Sequence, residues 1–449
     1  MLIAGYTSAR ELLREEIAEL EYEGFVIPER VREAFAMLHP EADACNESAI
    51  RKIYRLLDGA SRRPDWEWVE PDDLEAIRRE RPSGPRRFET AFSDEELLDR
   101  YYGAWQGRSV GCALGKPVEC MGMNGRQWRD IRDYLMRRGD WPLRDYFSGR
   151  GAGEGELSCP LSQRENIRFM ESDDDIRYTL LGLLVVERYG AAFDWREIAG
   201  LWNRLLPMEL VCTAERQALL NYNLRRPETL TREFTRRHNN PCRQWIGAQI
   251  RADFWGWCCA GNPERAAEFA WRDASWTHVA NGIYGEMFIA ALQAAAFVES
   301  DPERLIEIGL SEIPARCRLA AAVREGVAKA KELPDLESFM EWFEQRYAGL
   351  SAVHTVNNAV LCAMALLRGG MNPDRSVCLA VSGGLDTDCN GATVGAVTGI
   401  VAGKSGFGGT LAGRLNGTIR AAFGEFVEIS MESLAERTLK ARRRIESAL

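Results

Sequence analysis

The chain has 449 residues, of which 46% are hydrophobic and 28% are charged, a balance typical of a folded, soluble globular protein. Its 67 acidic side chains outnumber 57 basic ones and give a net charge of −10, which argues against binding to nucleic acid or to an anionic membrane.

The first residues, MLIAGYTSARELLREEIAEL, become charged and helix-like almost at once, unlike a signal peptide. No uncharged apolar run approaches the roughly 18–20 residues that span a bilayer. The 12 cysteines form no C-x-x-C pair and there are only 4 histidines, so no zinc site is predicted. We therefore expect a cytoplasmic protein with mostly reduced, buried thiols and no membrane partner.

Residues 1–94 are dense in charge, and we predict that they form a helical N-terminal extension of two or three amphipathic helices. The stretch RPSGPRR near its end breaks any helix and marks a domain boundary. Two interpretations remain open. The extension either caps the main domain or joins subunits, or it is a solvated appendage packed on the main body.

From residue 95 onward the pattern is helical almost everywhere, so we predict an all-α domain over residues 95–449. Ser93 followed by Glu95 and Glu96 is typical of a helix start, because a hydroxyl caps the first turn and acids favour its positive end. Apolar residues then recur every three or four positions, and the alternating runs typical of strands are nearly absent.

Two sets of glycines are spaced by four residues, which places each set on one face of a helix. They predict two helices packed backbone to backbone, because close approach can offset the roughly 1 kcal/mol that a glycine costs inside a helix. The sets are Gly103, Gly107, Gly111 and Gly115, and Gly391, Gly395, Gly399 and Gly403.

An acidic cluster, ESDDD, precedes the apolar segment IRYTLLGLLVVE. One interpretation is structural, because Ser172 and Asp175 match an S-x-x-D capping box and acids are favoured in a first helical turn. The other interpretation is a metal site built from the same carboxylates.

A second acidic pair, Asp386 and Asp388, follows the glycines of SGGLDTDCNG. The pattern matches the start of a calcium-binding EF-hand loop, but Val397 stands where such a loop needs a bidentate glutamate. For this pair alone, a helix cap and a site for Mg²⁺ or Mn²⁺ both remain open. The two clusters, brought face to face, would supply the carboxylates of a two-metal site, since neighbouring negative charges need a cation between them.

Four motifs occur in a fixed order: GxxxGxxxGCALGKPVE, SDDD, HVANGIYGEMFIAALQAAAF, and HTVNNA with GGLDTDCNGATVG. Together they resemble the ADP-ribosylglycohydrolase family, whose members include the dinitrogenase-reductase-activating glycohydrolases and the ADP-ribosylhydrolases. The resemblance covers about residues 95–440. It implies a compact all-α domain with two Mg²⁺ ions in a central cleft, Mn²⁺ being the alternative.

The resemblance also implies roles for individual residues. Glu119 matches a glutamate on a mobile loop near the metals, and either Glu119 or Asp173 could take a proton from the attacking water. His278 matches a histidine near the distal ribose or the phosphates. The implied metal ligands are Ser172, Asp173, Asp174, Asp386, Asp388 and Cys389. Further substrate contacts are expected in the turns NGIYG and SGG, at Gly282, Tyr284, Gly383 and Gly384.

Some of these residues depart from the family pattern or have a plainer explanation. Cys389 stands where many members have Ser or Thr, and a thiol is a poor ligand for Mg²⁺. Asp175 occupies a position that is often Thr, and Cys112 one that is often Asp. A satisfied core histidine remains open for His278, and a solvated loop acid for Glu119.

The implied activity is hydrolysis at the anomeric carbon of an ADP-ribosyl group carried by a protein or a small molecule. Two alternatives remain open: a hydrolase of a smaller ribosyl or furanosyl N-glycoside without ADP, and a non-catalytic nucleotide-binding or structural member such as a lens-type crystallin. The Trp-rich segment from Trp245 to Trp276 could stack on an adenine, although we expect most of its rings in the core. No oligomeric state is predicted.

Overall fold

The computed structural model describes residues 8–39 and 43–447. Within these ranges the chain forms twenty-one α-helices and four two-residue strands, so the predicted all-α class is confirmed. The parts of the predicted domains at 1–7, 40–42 and 448–449 lie outside the described residues. None of the described helices is long and apolar enough to cross a membrane.

The N-terminal extension is a folded unit with a small hydrophobic core of its own, to which Leu13, Val31 and Ile53 belong. Its two strands pair antiparallel, with Phe25 opposite Arg62. The elements are α1 (Ala9–Tyr22), β1 (Phe25–Val26), α2 (Glu29–Ala36), α3 (Asp43–Leu57), β2 (Ser61–Arg62) and α4 (Leu74–Glu80).

Residues 58–94 connect this unit to the main domain through core packing and backbone hydrogen bonds. Ile77 in α4 belongs to the large core of the main domain rather than to the small one. The backbone N–H of Val69 donates to the Arg316 carbonyl oxygen at 3.0 Å, and that of Phe88 donates to the Gly261 carbonyl oxygen at 2.8 Å. The extension is therefore packed on the main domain, while its role and the boundary at residue 94 stay predictions.

The main domain consists of seventeen helices around one large hydrophobic core. The predicted start of its first helix is confirmed, because Ser93 and Glu96 form a reciprocal capping box. The helices are α5 (Asp94–Gly115), α6 (Glu119–Gly122), α7 (Trp128–Arg138), α8 (Asp174–Tyr189), α9 (Trp195–Leu205), α10 (Thr213–Leu224), α11 (Arg232–Arg237), α12 (Ala252–Cys258), α13 (Pro263–Ala274), α14 (Ala280–Ala296), α15 (Pro302–Leu310), α16 (Arg318–Glu332), α17 (Leu336–Arg346), α18 (Thr355–Gly369), α19 (Pro373–Ser382), α20 (Thr387–Ala402) and α21 (Met431–Glu446). Two short strands, β3 (Thr418–Ile419) and β4 (Ile429–Ser430), pair antiparallel before α21.

The predicted backbone-to-backbone packing is confirmed for α5 and α20, which lie antiparallel. A Cβ atom on Gly107 would lie 2.0 Å from the Gly395 carbonyl oxygen, and one on Gly111 would lie 1.8 Å from the Gly391 carbonyl oxygen. No side chain fits between the two backbones, so the glycines are required there. Gly403 differs from the prediction, because it ends α20 at φ +70° instead of continuing the helical ridge.

Candidate active site

Acidic residues from both predicted clusters, together with Glu119, line one cavity of about 630 Å³. They come from three helix starts, those of α6, α8 and α20. The sequence-predicted residues that line the cavity are Glu119, Asp173, Asp174, Asp386, Asp388 and Cys389. Residues more than two hundred positions apart in the chain therefore share one site.

Close packing of α5 against α20 brings two of these acids together. A Cβ atom on Gly115 would lie 2.3 Å from the backbone nitrogen of Asp388, so the start of α20 lies directly against the end of α5. The Thr387 hydroxyl also donates to the Gly115 carbonyl oxygen at 2.9 Å. After a 3₁₀ turn at Lys116–Val118 the chain begins α6 at Glu119, which therefore lies in a helical turn rather than in the expected loop.

The start of α8 differs from the predicted capping box. Asp173, not Ser172, caps the helix, and its carboxylate accepts the N–H of Asp175 at 3.1 Å. The Ser172 hydroxyl donates to the Ala421 carbonyl oxygen at 2.6 Å and accepts from the Arg177 guanidinium at 2.7 Å. Ser172 is also not among the residues that line the cavity, so its hydroxyl is committed elsewhere.

Lys116, which the sequence analysis did not single out, forms an ion pair inside this site. Its Nζ lies 2.8 Å from Asp173 Oδ2 and donates to the Ser172 carbonyl oxygen at 2.8 Å. Burial alone would raise the pKa of Asp173, but the Lys116 ammonium and the Arg177 guanidinium lower it below its usual value. The sequence feature that could have indicated this ion pair is the position of Lys116, three residues before Glu119.

The other carboxylates repel one another. The charge of Asp388, together with burial, raises the pKa of Glu119 to about 9. Burial and the charge of Asp173 raise the pKa of Asp174 to about 8 and that of Asp388 to about 6. Burial and the charge of Asp388 raise the pKa of Asp386 well above its usual value. The cavity thus holds more carboxylates than the nearby cations can balance.

Asp175 has a partner of its own. Arg108 in α5 binds Asp175 Oδ1 at 2.9 Å and Asp253 Oδ2 at 2.8 Å, and all three side chains are fully buried. Asp175 stands at a position that is often Thr in the family, and Arg108 of α5 balances its charge. Nothing in the local sequence pattern around Arg108 indicated which acids it would bind.

The donor atoms of this site fit a divalent cation. The Oδ1 atoms of Asp386 and Asp388 are buried and have no hydrogen-bond partner within the described chain, an arrangement that is costly unless a cation lies against them. Two groups have all their candidate ligand atoms within 4.8 Å of one another: Cys112, Asp173, Asp175 and Asp388, and Asp386, Asp388 and Cys389.

The two thiols in these groups are weak candidates as ligands. Burial raises the pKa of Cys112 and of Cys389 well above the usual value, so both are neutral. A neutral thiol is a poor ligand for a hard cation such as Mg²⁺, whereas carboxylate oxygens suit it. The aspartates therefore form the part of the site that fits a metal.

Comparison with known proteins shows the family and the fold. A sequence model of the ADP-ribosylglycohydrolase family matches residues 93–446. The chain belongs to the ADP-ribosylglycohydrolase family. Among solved structures it is similar to an ADP-ribosylglycohydrolase-related protein complex, with 19% identity and a TM-score of 0.50 over 78% of this chain and 99% of that chain, which shows the fold. A comparison with curated proteins finds no match.

ADP-ribosylglycohydrolases are hydrolases of glycosidase type that act on ADP-ribosyl substrates, and the family is generally metal-dependent. The buried acids of this chain are a possible metal site of that kind. The family match begins at residue 93, so the N-terminal extension lies outside it.

Two side chains expected at the substrate, His278 and Tyr284, do not line the cavity. Both are fully buried, and the Tyr284 hydroxyl donates to the Pro71 carbonyl oxygen at 2.5 Å. Burial and the charge of Arg251 hold the pKa of His278 well below its usual value, so the ring is neutral. The Nδ1 atom of His278 lies 2.8 Å from the Thr277 hydroxyl, whereas its Nε2 has no hydrogen-bond partner among the described residues and lies 3.8 Å from Oε1 of Glu215, which lines the cavity, so the role of His278 stays a prediction.

The glycine N–H groups expected to bind phosphates are already used. Gly282 donates to the Val279 carbonyl oxygen at 2.9 Å, and Gly384 donates to that of Val381 at 3.2 Å. Gly383 donates to the carbonyl oxygens at the end of α19 in the same way. Gly383 and Gly384 close the end of α19, and Gly282 lies in the first turn of α14, so the structure does not leave these N–H groups for a diphosphate.

The Trp-rich segment divides as expected, with one informative exception. Trp255, Trp257 and Trp276 are buried in the core. Trp271 is partly exposed at the core surface, where its indole N–H donates to the Asp72 carbonyl oxygen at 2.9 Å. Trp245 is also partly exposed, and it lines the acidic cavity. Its ring is therefore available to a ligand.

Proposed function

We propose that the chain is a metal-dependent glycohydrolase that cleaves the bond at the anomeric carbon of an ADP-ribosyl group. The observation that carries the proposal is the convergence of five carboxylates from three helix starts on one cavity. Membership of the ADP-ribosylglycohydrolase family supports the reaction type. The substrate would be an ADP-ribosylated protein or a small ADP-ribosyl compound.

We infer that Mg²⁺, or alternatively Mn²⁺, balances the charge of the cavity. When bound, the metal would supply a Lewis acid for the ribose hydroxyls and for the attacking water. Lys116 already neutralises Asp173, so of the two ions that the resemblance implies, the one beside Asp386 and Asp388 is expected to bind more tightly. The residues that would hold metal are Asp173, Asp174, Asp386 and Asp388, with the neutral Cys389 beside them.

Of the two candidates for proton transfer, the surroundings favour Glu119. Asp173 caps α8 and is held by Lys116, which keeps it ionised and fixes its orientation. Glu119 has the raised pKa of about 9 that the neighbouring Asp388 causes, and it lines the same cavity. A carboxyl with such a pKa is protonated near neutral pH and can donate its proton to the leaving atom, and it can take a proton from water once a cation balances the charge of Asp388 and lowers the pKa of Glu119. Asp173 is then a positioning residue and a ligand.

Hydrolysis would form a bond between the water oxygen and the anomeric carbon and break the bond to the leaving nitrogen or oxygen. The proton lost by the water would reach the leaving group directly or through Glu119. Because the reaction consumes only water, no redox partner is needed.

The free cysteines of the described residues support the expectation of a cytoplasmic enzyme.

The test is release of ADP-ribose from arginine- and serine-linked ADP-ribosylated proteins by protein first stripped with a chelator and then titrated with Mg²⁺. We expect release to require the metal and to be lost in Asp388→Ala, while the far-ultraviolet circular dichroism of the variant is unchanged. Asp58→Ala, a change at an exposed aspartate of the extension, is the matched control and should hydrolyse like the wild type.

Three outcomes would redirect the proposal. Unchanged turnover in Asp388→Ala would remove this residue from the mechanism. Cleavage of a ribosyl N-glycoside without ADP, and of no ADP-ribosyl compound, would point to the smaller substrate class. The absence of turnover on every substrate with Mg²⁺ and Mn²⁺ would leave a non-catalytic nucleotide-binding or structural member of the fold.

A further inference from the structure

A second and larger cavity, of about 810 Å³, lies where the N-terminal extension meets the main domain. The extension contributes α1 and the segment between β2 and α4, and the main domain contributes the loop before α18. Aromatic side chains from both parts line it, namely Tyr22, Trp66, Trp68, Trp245, Tyr347 and His354. The family match begins after the extension, so family membership does not predict this cavity.

This extension cavity adjoins the acidic cavity. Trp245 and Ser351 line both. Two chain segments lie between the cavities, residues 244–246 and residues 353–355, and their backbones pair as in a β-sheet. The Ile246 N–H donates to the Val353 carbonyl oxygen at 2.9 Å, and the Thr355 N–H donates to the Gln244 carbonyl oxygen at 3.1 Å. The two cavities thus share the wall formed by Trp245 and Ser351, which places the extension cavity next to the acidic one.

Buried polar atoms of the extension cavity lack partners within the described chain. They are Trp66 Nε1, His354 Nε2 and the Tyr347 hydroxyl. His354 is 1% exposed, and its Nδ1 accepts the Val356 N–H at 3.2 Å, which leaves the proton on Nε2. An unpaired buried donor costs about 1–3 kcal/mol. Both N–H groups belong to side chains that line the cavity.

The charged groups of the cavity differ from those of the acidic one. Arg14, Arg63 and Arg346 line it with side chains between 50% and 58% exposed, so their guanidinium groups are accessible to a ligand. Arg318 is buried, with its guanidinium carbon 4.2 Å from the centre of the Tyr22 ring and 5.0 Å from that of Trp66.

Glutamates also line the cavity, but most of their charge is already balanced. Glu15 binds Arg14 at 2.7 Å, and Glu21 pairs with Arg32. Glu19 accepts a hydrogen bond from the Gln244 amide at 2.6 Å. What remains open to a ligand is a combination of flat aromatic rings and the exposed parts of three guanidinium groups, those of Arg14, Arg63 and Arg346, which also pair with Glu15, Asp65 and Glu325.

We propose that the extension cavity binds the nucleoside diphosphate part of the substrate, while the acidic cavity holds the ribose whose bond is cleaved. An aromatic base can stack on the tryptophan rings, and phosphate oxygens accept hydrogen bonds from guanidinium and ring N–H groups. The N-terminal extension is thereby part of the substrate site and determines specificity for a nucleotide. This assignment rests on the proposed function for the identity of the substrate.

The probe that tests the assignment is ADP, titrated calorimetrically into the full-length protein in the presence of a chelator. ADP lacks the distal ribose whose bond would be cleaved, and the chelator removes any metal from the acidic cavity, so the effect of a variant in the extension cavity on ADP binding reports on that cavity. We expect Trp68→Ala to weaken ADP binding by roughly five- to a hundredfold, since base–aromatic stacking is worth about 1–3 kcal/mol. Trp68→Phe should retain most of the affinity.

A charge variant gives a second, independent readout. Arg346→Met should also weaken binding of ADP and should weaken binding of adenosine much less, because only ADP carries phosphates. Arg55→Met, at an exposed arginine on α3 that does not line the cavity, is the matched control and should bind ADP like the wild type. Circular dichroism of each variant separates a lost contact from a lost fold.

The outcomes separate this inference from the proposed function. If the wild type releases ADP-ribose but Trp68→Ala binds ADP as tightly as the wild type, the nucleotide assignment is wrong and the reaction stands. If the wild type binds ADP through Trp68 but hydrolyses nothing, the reaction is wrong and the nucleotide site stands. If free arginine binds and ADP does not, the cavity takes the leaving group instead, and the assignment is overturned.

Discussion

Two regions of this molecule hold buried carboxylates in opposite surroundings. Between the N-terminal extension and the main domain, Arg243 binds Glu16 at 2.8 Å and Glu23 at 2.9 Å. Arg318 likewise binds Glu70 at 2.6 Å. In the acidic cavity, by contrast, Oδ1 atoms of Asp386 and Asp388 have no hydrogen-bond partner among the described residues.

This difference separates structural acids from acids that are available to a ligand. A buried carboxylate that meets an arginine is already neutralised, and breaking the pair leaves an uncompensated charge. Carboxylates that meet mainly one another raise each other's pKa and are stabilised only when a cation arrives. The interface should therefore lose stability when its cation is removed, whereas the cavity should lose function and not stability when an acid is removed.

The largest expected effect on stability is at the interface. Arg243→Met should lower the free energy of unfolding by about 3–5 kcal/mol, because it leaves two glutamates buried without their cation. Urea unfolding followed by circular dichroism measures the change. Arg14→Met removes an exposed ion pair and should cost about 1 kcal/mol or less. Equal losses in the two variants would contradict the comparison.

The corresponding change in the cavity should act on function. Asp386→Asn should reduce hydrolysis by at least about a hundredfold, since changing even the outer partners of metal ligands costs 10–100-fold. It should also abolish the rise in melting temperature that Mg²⁺ causes in the wild type. Without metal the variant should be as stable as the wild type or more so, because Asp386 makes no side-chain capping bond to α20. A marked loss of metal-free stability would identify Asp386 as structural.

A third substitution tests the role of Lys116, the cation that already pairs with one of the cavity acids. Lys116→Met should raise the affinity for Mg²⁺ about tenfold or more, since it removes a positive charge that competes for Asp173. Calorimetric titration with Mg²⁺ gives the affinity and the number of ions bound. Lys404→Met, at an exposed lysine paired with Glu432, is the control. Weaker binding in Lys116→Met would mean that the lysine organises the ligands instead.

The smallest expected effect is the change in the free energy of unfolding with pH. Without metal, Asp174 and Glu119 have pKa values of about 8 and about 9, above their values in the unfolded chain. The folded protein therefore binds more protons than the unfolded one between about pH 4.5 and 9, and this contribution to stability is lost as pH rises through that window. Metal binding needs the ionised carboxylates, so it is favoured at the upper end of the window.

Melting temperatures in chelator and in Mg²⁺, at pH 6 and at pH 8.5, check this expectation. The rise caused by Mg²⁺ should be larger at pH 8.5. An equal rise at both values would indicate that these two carboxylates are ionised before the metal arrives.

Much of the fold follows from local sequence patterns. The three- to four-residue apolar repeat predicted the helices, because helix periodicity depends only on neighbours along the chain. The glycine spacing predicted the contact between α5 and α20, since glycines four apart leave a face without side chains. Clusters ESDDD and LDTDC predicted acids at two helix starts, and the structure brings them to one cavity.

Only the tertiary structure decided which partners these groups meet. The pairing of Lys116 with Asp173, and of Arg108 with Asp175, joins residues more than fifty positions apart, and nothing in the local pattern specifies such a pairing. The glycine turns looked available for phosphates, but their N–H groups are used to close helix ends. The cavity that the extension forms with the loop before α18 exists only because two distant parts of the chain pack together, which local periodicity does not encode.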